Sequence, residues 1–455
     1  MKNRAPASGA HILDCFEQTR CYWRRVTPEK SSLGAGFILA GMLFSSASAQ
    51  AQEALYSALG LDSALAQHNA SNNSPGSLPQ SHLGPVDFTL GASAGVEEND
   101  NINLTETGAQ SDTIIRAGLT LGLVWPATEQ SELSFNAAAD YAKYLAHPSD
   151  DQFEISPGSV LTWKISFEDG SLMFFDQFSE SQSVISEASV SGVNNIPRID
   201  NTIGARLEWQ PGRWLFELDC SYDNYFSDGA AYEYLNRDSE YLLIRAGHRV
   251  AEDTQLGLEV SASFTKYELA LQSNNTSYSV GPYLEWQLTH FINISVRGGY
   301  TIFAFDSNGE GQSAQNLGSY YASLELTHQL TQFISQRLSV ERDISLGLNQ
   351  GNNYTEQLTA GYTINWEATA HLGLHLSLTY ENGNQPLTSE IGTSSGILLS
   401  SQTENYSRVG ISPGISYQFT RKLAGSLTGA HWERMSNLND GYQDNSVSVQ
   451  LNYTF

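Results

Sequence analysis

The chain has few cysteines, and most of them stand near its amino terminus. It contains 3 cysteines in 455 residues, and Cys15 and Cys21 fall within the first 49, which leaves Cys220 alone in the rest. One cysteine forms no intramolecular disulfide and builds no cysteine-based metal centre. We therefore predict a fold without disulfides and without a cysteine-built metal site. No other metal site and no cofactor are expected.

Basic residues are scarce as well. The chain has 23 Lys and Arg residues against 49 Asp and Glu residues, a formal net charge of −26. Nucleic acid binding requires a basic surface, so this balance excludes a nucleic acid partner. The region after residue 49 also lacks any long apolar run, whereas Tyr, Phe and Gly are abundant. That mixture is typical of strands with aromatic girdles.

The amino terminus predicts a secretory signal peptide over residues 1–49. Basic residues precede a short apolar stretch at 33–44, and Ala47-Ser48-Ala49 forms a small-residue cleavage site. The apolar stretch is too short to cross a bilayer as a helix. Cleavage would remove six basic and three acidic residues and leave a formal charge of −29. Residues 50–85 are expected to be a flexible periplasmic segment; the alternative is a short helix that plugs a lumen or meets a periplasmic partner.

From residue 86 onward, apolar and polar residues alternate in one run after another. The last nine residues, 447–455, alternate between apolar and polar without a break and end on Phe455. Among regular backbones, only a strand places all the apolar side chains of such a run on one face. Four tryptophans precede short turns, as an interfacial aromatic belt requires: Trp125, Trp209, Trp286 and Trp366. Eight short turns alternate with nine longer polar connections.

This organisation predicts an all-β fold, a closed antiparallel transmembrane β-barrel over residues 86–455. It has about 18 strands, or 16 if the first pair or residues 172–178 fail to pair, with short periplasmic turns and long extracellular loops. The expected location is the bacterial outer membrane, surrounded by its lipids. Tyr453 and Phe455 are expected to form the carboxy-terminal signal that the barrel assembly machinery reads.

Charged residues sort onto the face opposite the apolar residues in strand after strand. A soluble sandwich would instead place charges outside and apolar residues inside. The many long strands, the secretion signal and the final Phe favour a membrane barrel, so we assign the charged face to a lumen. The candidate lumen-lining residues are Glu217, Asp219, Arg245, Arg249, Glu259, Glu285, Arg297, Glu325, Arg337 and Glu341. Glu217 and Asp219 precede Arg245 and Arg249 by one strand, so cross-strand ion pairs are expected. Such pairs either satisfy charges inside the barrel or form a polar lining that orients a hydrophilic solute.

Three prolines share the parity of the apolar, lipid-facing residues. Pro157, Pro282 and Pro413 each lack a backbone N–H, so we predict that strand pairing is interrupted at all three.

The first functional hypothesis is a water-filled channel for passive passage of small hydrophilic solutes. Residues 179–200 and 381–404 form the two longest predicted loops and are the candidates for a constriction. A barrel enzyme is a second hypothesis. His248 has the parity of the outer face, and His371 and His375, four positions apart on a strand, lie about 13 Å apart and cannot hold one metal alone. We therefore predict no enzyme activity and no catalytic residues.

The third hypothesis is a structural or interaction barrel whose acidic loops, at 97–101 and 150–151, bind a ligand such as Ca²⁺.

The segment 90–102, Leu-Gly-Ala-Ser-Ala-Gly-Val-Glu-Glu-Asn-Asp-Asn-Ile, resembles the start of the β-barrel porin 2 family, in which a Gly-rich first strand runs into a Tyr/Asp/Asn-Ile segment. Glu97 and Glu98 depart from that pattern, because an aromatic residue is common there. With the hairpin repeat, the resemblance extends over residues 86–455. It implies an outer-membrane barrel, often associated with exopolysaccharide production. Export of a polysaccharide is therefore the alternative to a general porin.

Overall fold

The computed structural model describes residues 81–455, apart from residues 228, 307–315, 394–395 and 439. The predicted signal peptide and residues 50–80 lie outside the described residues. No described helix is long and apolar enough to cross a membrane.

The described chain consists of strands, with two single-turn 3-10 helices in the connections. The strands are β1 Ser81–Leu83, β2 Val86–Asn99, β3 Asp112–Thr128, β4 Ser131–Tyr144, β5 Gln152–Ile155, β6 Val160–Phe167, β7 Gly170–Ser181, β8 Arg198–Trp209, β9 Trp214–Phe226, β10 Arg237–Ala251, β11 Thr254–Tyr267, β12 Asn275–Thr289, β13 Ile292–Phe305, β14 Leu317–Thr331, β15 Ile334–Leu346, β16 Tyr354–Glu367, β17 Leu372–Thr393, β18 Gly396–Gln418, β19 Leu423–Ser436 and β20 Tyr442–Thr454. The 3-10 helices are η1 Pro148–Asp150 and η2 Glu233–Leu235.

Successive strands pair antiparallel, and β2 pairs with β20 from Gly91–Thr454 to Asn99–Ser446, which closes the sheet into a barrel. β5 and β6 both pair with β4 and with β7, so together they form one interrupted strand of the wall. The closed barrel therefore has 18 strands, which confirms the predicted number. Eight short connections lie at one end, here called the turn end, and nine lie at the other, the loop end.

The three prolines interrupt pairing as predicted. Pro157 lies in the gap between β5 and β6, where the register shifts by two residues. Pro282 is paired with Leu258 on one side, but β12 skips Gly281 and Pro282 in its pairing with β13. Pro413 is likewise paired with β17 and skipped in the pairing with β19. The register is unchanged across the last two, so they are gaps in the ladder and not bulges.

The even–odd division of side chains is clearest on β9. Trp214, Phe216 and Leu218 are exposed on the outer face, while Glu217 and Asp219 alternate with them and are buried inside. The apolar face thus points away from the centre of the barrel, as the alternation predicted.

Exposed aromatic side chains form two belts around the outer face. The turn-end belt contains Trp125, Trp209, Trp214, Trp286, Trp366, Phe167, Phe291, Phe333, Phe419 and Phe455, and the loop-end belt contains Tyr141, Phe153, Tyr222, Phe264, Tyr278, Tyr300, Tyr320 and Tyr380. On β12, Tyr278 and Trp286 are eight residues apart, which spans about 20 Å of height at a tilt of about 40°. This separation is close to the apolar band of about 25 Å in outer-membrane barrels.

Two boundaries differ from the sequence prediction. Residues 381–404 are not a long loop, because β17 continues to Thr393 and β18 begins at Gly396. Residues 381–404 show no apolar–polar alternation in the sequence, which is the local signal that marks a strand. Residues 81–85 belong to a hairpin and not to a flexible segment: β1 pairs with the start of β2, and Gly84 adopts the positive φ of the turn.

Candidate functional site

The interior of the barrel is the candidate site, and its wall is polar. Across β10 to β12, hydroxyl groups on neighbouring strands contact each other: Ser239 and Thr265 lie 3.1 Å apart, and Ser263 and Ser277 lie 2.7 Å apart. Cross-strand neighbours share a face, so these pairs form a hydroxyl-lined strip of the interior.

Five charged side chains on β8 to β11 form a continuous series that we call the charge ladder. Arg206 Nε lies 2.8 Å from Asp219 Oδ2 and 3.8 Å from Glu217 Oε1. Arg245 Nη1 lies 3.2 Å from Glu217 Oε2, and Arg245 Nε lies 3.4 Å from Glu259 Oε2. Negative and positive groups thus alternate along the ladder, and all five are buried.

The expected pairing of Glu217 and Asp219 with two arginines of β10 is half right. Glu217 stands directly opposite Arg245 and forms an ion pair with it, whereas Asp219 forms an ion pair with Arg206 on β8. Arg249 lies beyond the last paired residue of β9 and is exposed at the turn end, so it does not join the ladder. Its parity was predicted correctly, but its height in the barrel was not.

Two tyrosines complete the ladder and were missed from the sequence. Tyr321 donates its hydroxyl to Glu259 Oε1 at 3.1 Å, and the Tyr283 ring lies 5.7 Å from the Arg245 guanidinium carbon. Both have the inward parity of their strands, which is the signal that could have revealed them. Arg297 is half-buried on β13, and its Nη1 is buried without a hydrogen-bond partner among the described residues.

The remaining predicted lining residues lie nearer the turn end or farther around the wall. Glu285, Glu325 and Arg249 line a wide, open recess at the turn end, together with Gln255 and Thr327. Arg337 Nη2 lies 2.9 Å from Glu325 Oε2, and both side chains are largely exposed. Glu341 is half-buried on β15, opposite Ser323 and Thr359. The lumen is therefore more open at the turn end than at the charge ladder.

At the loop end, residues 182–197 cross the interior and bind the wall formed by β17 to β19. Arg408 donates to the carbonyl oxygens of Ile185 at 2.5 Å and Ser186 at 3.2 Å. Arg434 donates to Ala188 O at 2.9 Å, and Gln385 Nε2 donates to Ser189 O at 2.9 Å. We call these contacts the loop-end latch. β18 lies seven strands from β7 by the shorter way around the barrel, so residues 182–197 span the lumen.

Each arginine of the latch also holds a carboxylate. Arg408 Nε lies 2.5 Å from Glu381 Oε2, and Arg434 Nη2 lies 2.7 Å from Glu404 Oε1. All four side chains are at most 3% exposed. A buried pair of this kind is strongly coupled, because removal of one partner leaves an unpaired buried charge.

Aromatic rings flank the two arginines. The Arg408 guanidinium carbon lies 4.5 Å from the Trp432 ring, and that of Arg434 lies 4.9 Å from the Tyr406 ring. Cation–π contacts of this length favour the charged arginines at these positions.

An apolar cluster packs around the same segment. Val184, Val190 and Ile196 of the crossing segment bury their side chains against residues from other connections and strands, namely Leu104, Tyr225, Tyr234, Leu235 and Tyr442. Tyr234 donates its hydroxyl to Leu348 O at 2.8 Å. The connections at the loop end therefore form a small core of their own. The prediction that residues 179–200 constrict the lumen is consistent with this packing, whereas residues 381–404 lie mostly in strands and contribute Gln385 to the wall that the crossing segment binds.

The acidic clusters considered as Ca²⁺ sites are engaged in structural hydrogen bonds. Asp100 accepts from the backbone and side-chain amides of Asn445 at 2.7 Å each, which ties β2 to β20 at the seam of the barrel. Asp151 accepts from Tyr144 N at 2.8 Å. Within the described residues, no group of three or more His, Cys, Asp or Glu side chains is arranged to hold a metal ion.

The histidines considered for catalysis lie apart from one another. His248 packs edge-on against Trp214 on the outer face, at 4.7 Å between ring centroids, and His371 lies beside Tyr417 at 6.3 Å. His375 stands opposite Gly414.

No protein-family model matches the chain, and no curated protein matches it significantly. The resemblance to the β-barrel porin 2 family is therefore not confirmed. Similar solved structures include the outer membrane protein OpdK from Pseudomonas aeruginosa, at 10% identity and a TM-score of 0.43, covering 81% of this chain and 99% of that chain. OccAB3 from Acinetobacter baumannii matches at 11% identity and a TM-score of 0.45, covering 81% and 99%. OpdQ from Pseudomonas aeruginosa matches at 12% identity and a TM-score of 0.45, covering 81% and 97%.

Proposed function

We propose that the protein is an outer-membrane, porin-like channel for passive passage of small hydrophilic solutes. The observation that carries this proposal is the closed 18-strand barrel whose outer face is apolar between two aromatic belts and whose interior is lined by hydroxyl and charged groups. Closed barrels satisfy every backbone hydrogen bond within the wall, which is what a hydrocarbon environment requires. A polar interior offers solutes a replacement for their hydration shell.

We expect the path to be narrowest at two levels. The charge ladder supplies alternating carboxylates and guanidinium groups at one level, and the crossing segment 182–197 obstructs the loop end at the other. Alternating charges give little net preference for cations or anions, and they suit a polar solute that offers both donors and acceptors. Passage past the crossing segment requires a small solute or displacement of that segment.

The test is conductance of the purified, refolded barrel in planar bilayers, combined with liposome swelling in sugars of increasing size. The expected result is a small, stepwise conductance and swelling that ends at small sugars. A barrel that is folded, as shown by a heat-dependent shift on gels, yet conducts no ions at any voltage contradicts the proposal.

Export of an exopolysaccharide is the second candidate, and the resemblance of residues 90–102 to the porin 2 family supports it. The same swelling assay separates the two, because a polymer pathway requires the crossing segment to leave the lumen and passes large oligosaccharides once it has. Binding of outer-membrane lipids and recognition of Tyr453 and Phe455 by the barrel assembly machinery are part of the proposal for either function.

A further inference from the structure

β14 and β15 separate at the loop end before either strand ends. Their last pair is Ala322 with Arg342. Beyond it, β14 still pairs with β13 as far as Leu317, and β15 still pairs with β16 as far as Leu346. Each strand therefore has an edge that the other strand leaves unpaired over this stretch.

The end of the β15–β16 hairpin, residues 343–355, leans into the mouth of the barrel, and we call it the flap. Ile344 and Leu346 have the parity of the outer face of β15, whereas Phe303 and Phe305 have the parity of the inner face of β13. All four are nevertheless buried in one apolar cluster. Outer-face side chains of β15 contact inner-face side chains of β13 only when the end of β15 lies inside the wall.

Polar contacts hold the tip of the flap in this position. Gln272 Nε2 donates to Asn349 O at 3.1 Å, and Ser273 N donates to Asn353 Oδ1 at 3.2 Å. Both donors belong to the connection between β11 and β12. Asn349 Nδ2 also lies 3.3 Å from Ser189 O of the crossing segment. The flap thus occupies part of the mouth and meets the segment that crosses the lumen.

Arg342 covers the unpaired edge of β14. Its Nη1 donates to Tyr320 O and lies 3.2 Å from Ser319 Oγ, and its guanidinium carbon lies 4.0 Å from the Tyr320 ring. Its Nη2 lies 3.4 Å from Glu356 Oε2. The side chain therefore supplies the donor that a backbone N–H of β15 would supply in a continued ladder.

The sequence of the flap also fits the wall. If the register of the last β14–β15 pair continued, Ile344 would stand opposite Tyr320, and Leu346 would follow on the same outer face. Tyr320 belongs to the loop-end aromatic belt, where apolar side chains suit the lipid boundary. Ser345 would stand opposite Ser319 on the polar inner face. An unpaired strand edge is a template for pairing, and here both edges carry the side-chain pattern of a wall.

We propose that the flap is a gate with two positions: the one seen here, inside the mouth, and a second one in the wall, where β15 pairs with β14 beyond Arg342. In the second position Arg342 releases Tyr320 O, ladder hydrogen bonds replace the contacts of the tip, and the mouth is wider. Ile344 and Leu346 stay out of water in both positions, because lipid replaces the apolar cluster. The inference rests on the proposed channel function and adds a gate at its loop end.

The first test traps the wall position with a disulfide. Tyr320 O faces β15, because Arg342 of β15 donates to it. The flanking pair in a continued ladder, Ser319 with Ser345, is then of the non-hydrogen-bonded kind, with Cα atoms about 4.5 Å apart, a distance that a disulfide bridges. Ser319→Cys with Ser345→Cys, in a Cys220→Ser background, is folded under reducing conditions and then oxidised. We expect an intramolecular disulfide and a higher conductance, both reversed by a reductant.

Ser263→Cys with Ser277→Cys is the matched control. These serines already stand opposite each other with their hydroxyl oxygens 2.7 Å apart, so we expect a disulfide without a change in conductance. Heat-dependent gel migration verifies that each reduced variant is a folded barrel. Failure of the flap pair to oxidise while the control pair does, or a flap disulfide that leaves conductance unchanged, overturns the proposal.

The second test removes the cover from the edge of β14. Arg342→Leu abolishes the donor to Tyr320 O, so it is expected to speed disulfide formation in the flap pair several-fold and to raise the share of the higher conductance level. Arg337→Leu on the same strand, which breaks only an exposed ion pair with Glu325, is the control and leaves the rate unchanged. Equal rates in the two variants contradict the role of Arg342.

The disulfide is read on gels and requires no current. A barrel that forms the flap disulfide but conducts no ions therefore contradicts the proposed channel function. A conducting barrel that never forms it contradicts the gate alone, so the two failures are distinguishable.

Discussion

The guanidinium group of Arg434 donates to the carbonyl oxygen of Ala188 at 2.9 Å, although the two residues are 246 positions apart in the chain. The same side chain contacts Glu404 at 2.7 Å and also donates to Asp440 O. One arginine of the wall therefore neutralises a buried carboxylate and fixes the segment that crosses the lumen. Because both tasks depend on one group, the position of residues 182–197 and the stability of the wall are coupled.

Arg434→Ala is expected to release the crossing segment. The substitution leaves Glu404 as an unpaired buried charge, which costs about 3–5 kcal/mol, and removes a donor to Ala188. We expect single-channel conductance to rise and the folded barrel to denature at lower temperature. Arg337→Ala is the control, because its ion pair with Glu325 is exposed and exposed pairs contribute about 0–1 kcal/mol. Unchanged conductance in Arg434→Ala, with the barrel still folded, would show that residues 182–197 do not limit ion flow.

We expect docking of the crossing segment to depend on pH through Glu187. Burial raises the pKa of Glu187, and the nearby Arg198 and Arg408 oppose that rise only in part. A carboxyl group whose pKa is raised in the docked state stabilises that state when it is protonated. This contribution is fully present below the ordinary pKa of the group, near 4.5. It is lost as the pH rises through the raised pKa. We therefore expect lower conductance as pH falls through this window.

Glu187→Gln separates this effect from other titrations. The amide cannot ionise, so the variant is expected to show the low-pH conductance at every pH and to lose the dependence. Recordings from pH 4 to 8 in the same salt test this expectation. A pH dependence that persists unchanged in Glu187→Gln assigns it to other groups.

Glu217→Gln is expected to shift ion selectivity toward anions. Glu217 stands between Arg206 at 3.8 Å and Arg245 at 3.2 Å. Glu217→Gln removes one negative charge beside these two guanidinium groups, at a level where we expect the lumen to be narrow. The reversal potential in a KCl gradient measures the change. Glu325→Gln removes an equal charge at the open turn end, where mobile ions screen it more strongly, and a smaller shift is expected there. Equal shifts in both variants would place the narrow level elsewhere.

The strand number, the closed barrel and the inward parity were predictable from the sequence, because alternation and turn spacing are local properties. Each of Glu217, Arg245 and Glu259 was placed on the correct face by counting from apolar neighbours. Height along the barrel was less accessible. Arg249 on β10 shares the parity of Arg245, but it lies one position past the pairing with Trp214, the first residue of β9. The stagger between strands therefore decides which charges meet.

The latch was not predictable, for a different reason. Its contacts join residues 182–197 to a wall more than 200 positions away in the chain, and no local pattern encodes such a distance. Glu381 and Glu404 were also assigned to a loop, since residues 381–404, which belong mostly to β17 and β18, show no apolar–polar alternation in the sequence.

Phe455 and Phe419 offer a matched test of the predicted assembly signal. Both are about half exposed in the turn-end belt, at 51% and 54%, and each packs edge-on against a tyrosine two residues earlier, with ring centroids 5.1 Å apart. Phe455 differs because it belongs to the predicted assembly signal, and its N–H donates to Leu90 O at 2.9 Å beside the β2–β20 seam.

If each ring served only as part of the belt, Phe455→Ala and Phe419→Ala would reduce barrel stability by similar amounts. We expect instead that Phe455→Ala lowers the yield of folded barrel in the outer membrane several-fold more than Phe419→Ala, while the two purified, refolded variants denature at similar temperatures. Quantitative blots of outer-membrane fractions measure the yield, and thermal scans measure the stability. Equal losses of yield would assign Phe455 to the belt alone, because the predicted signal would then add nothing to assembly.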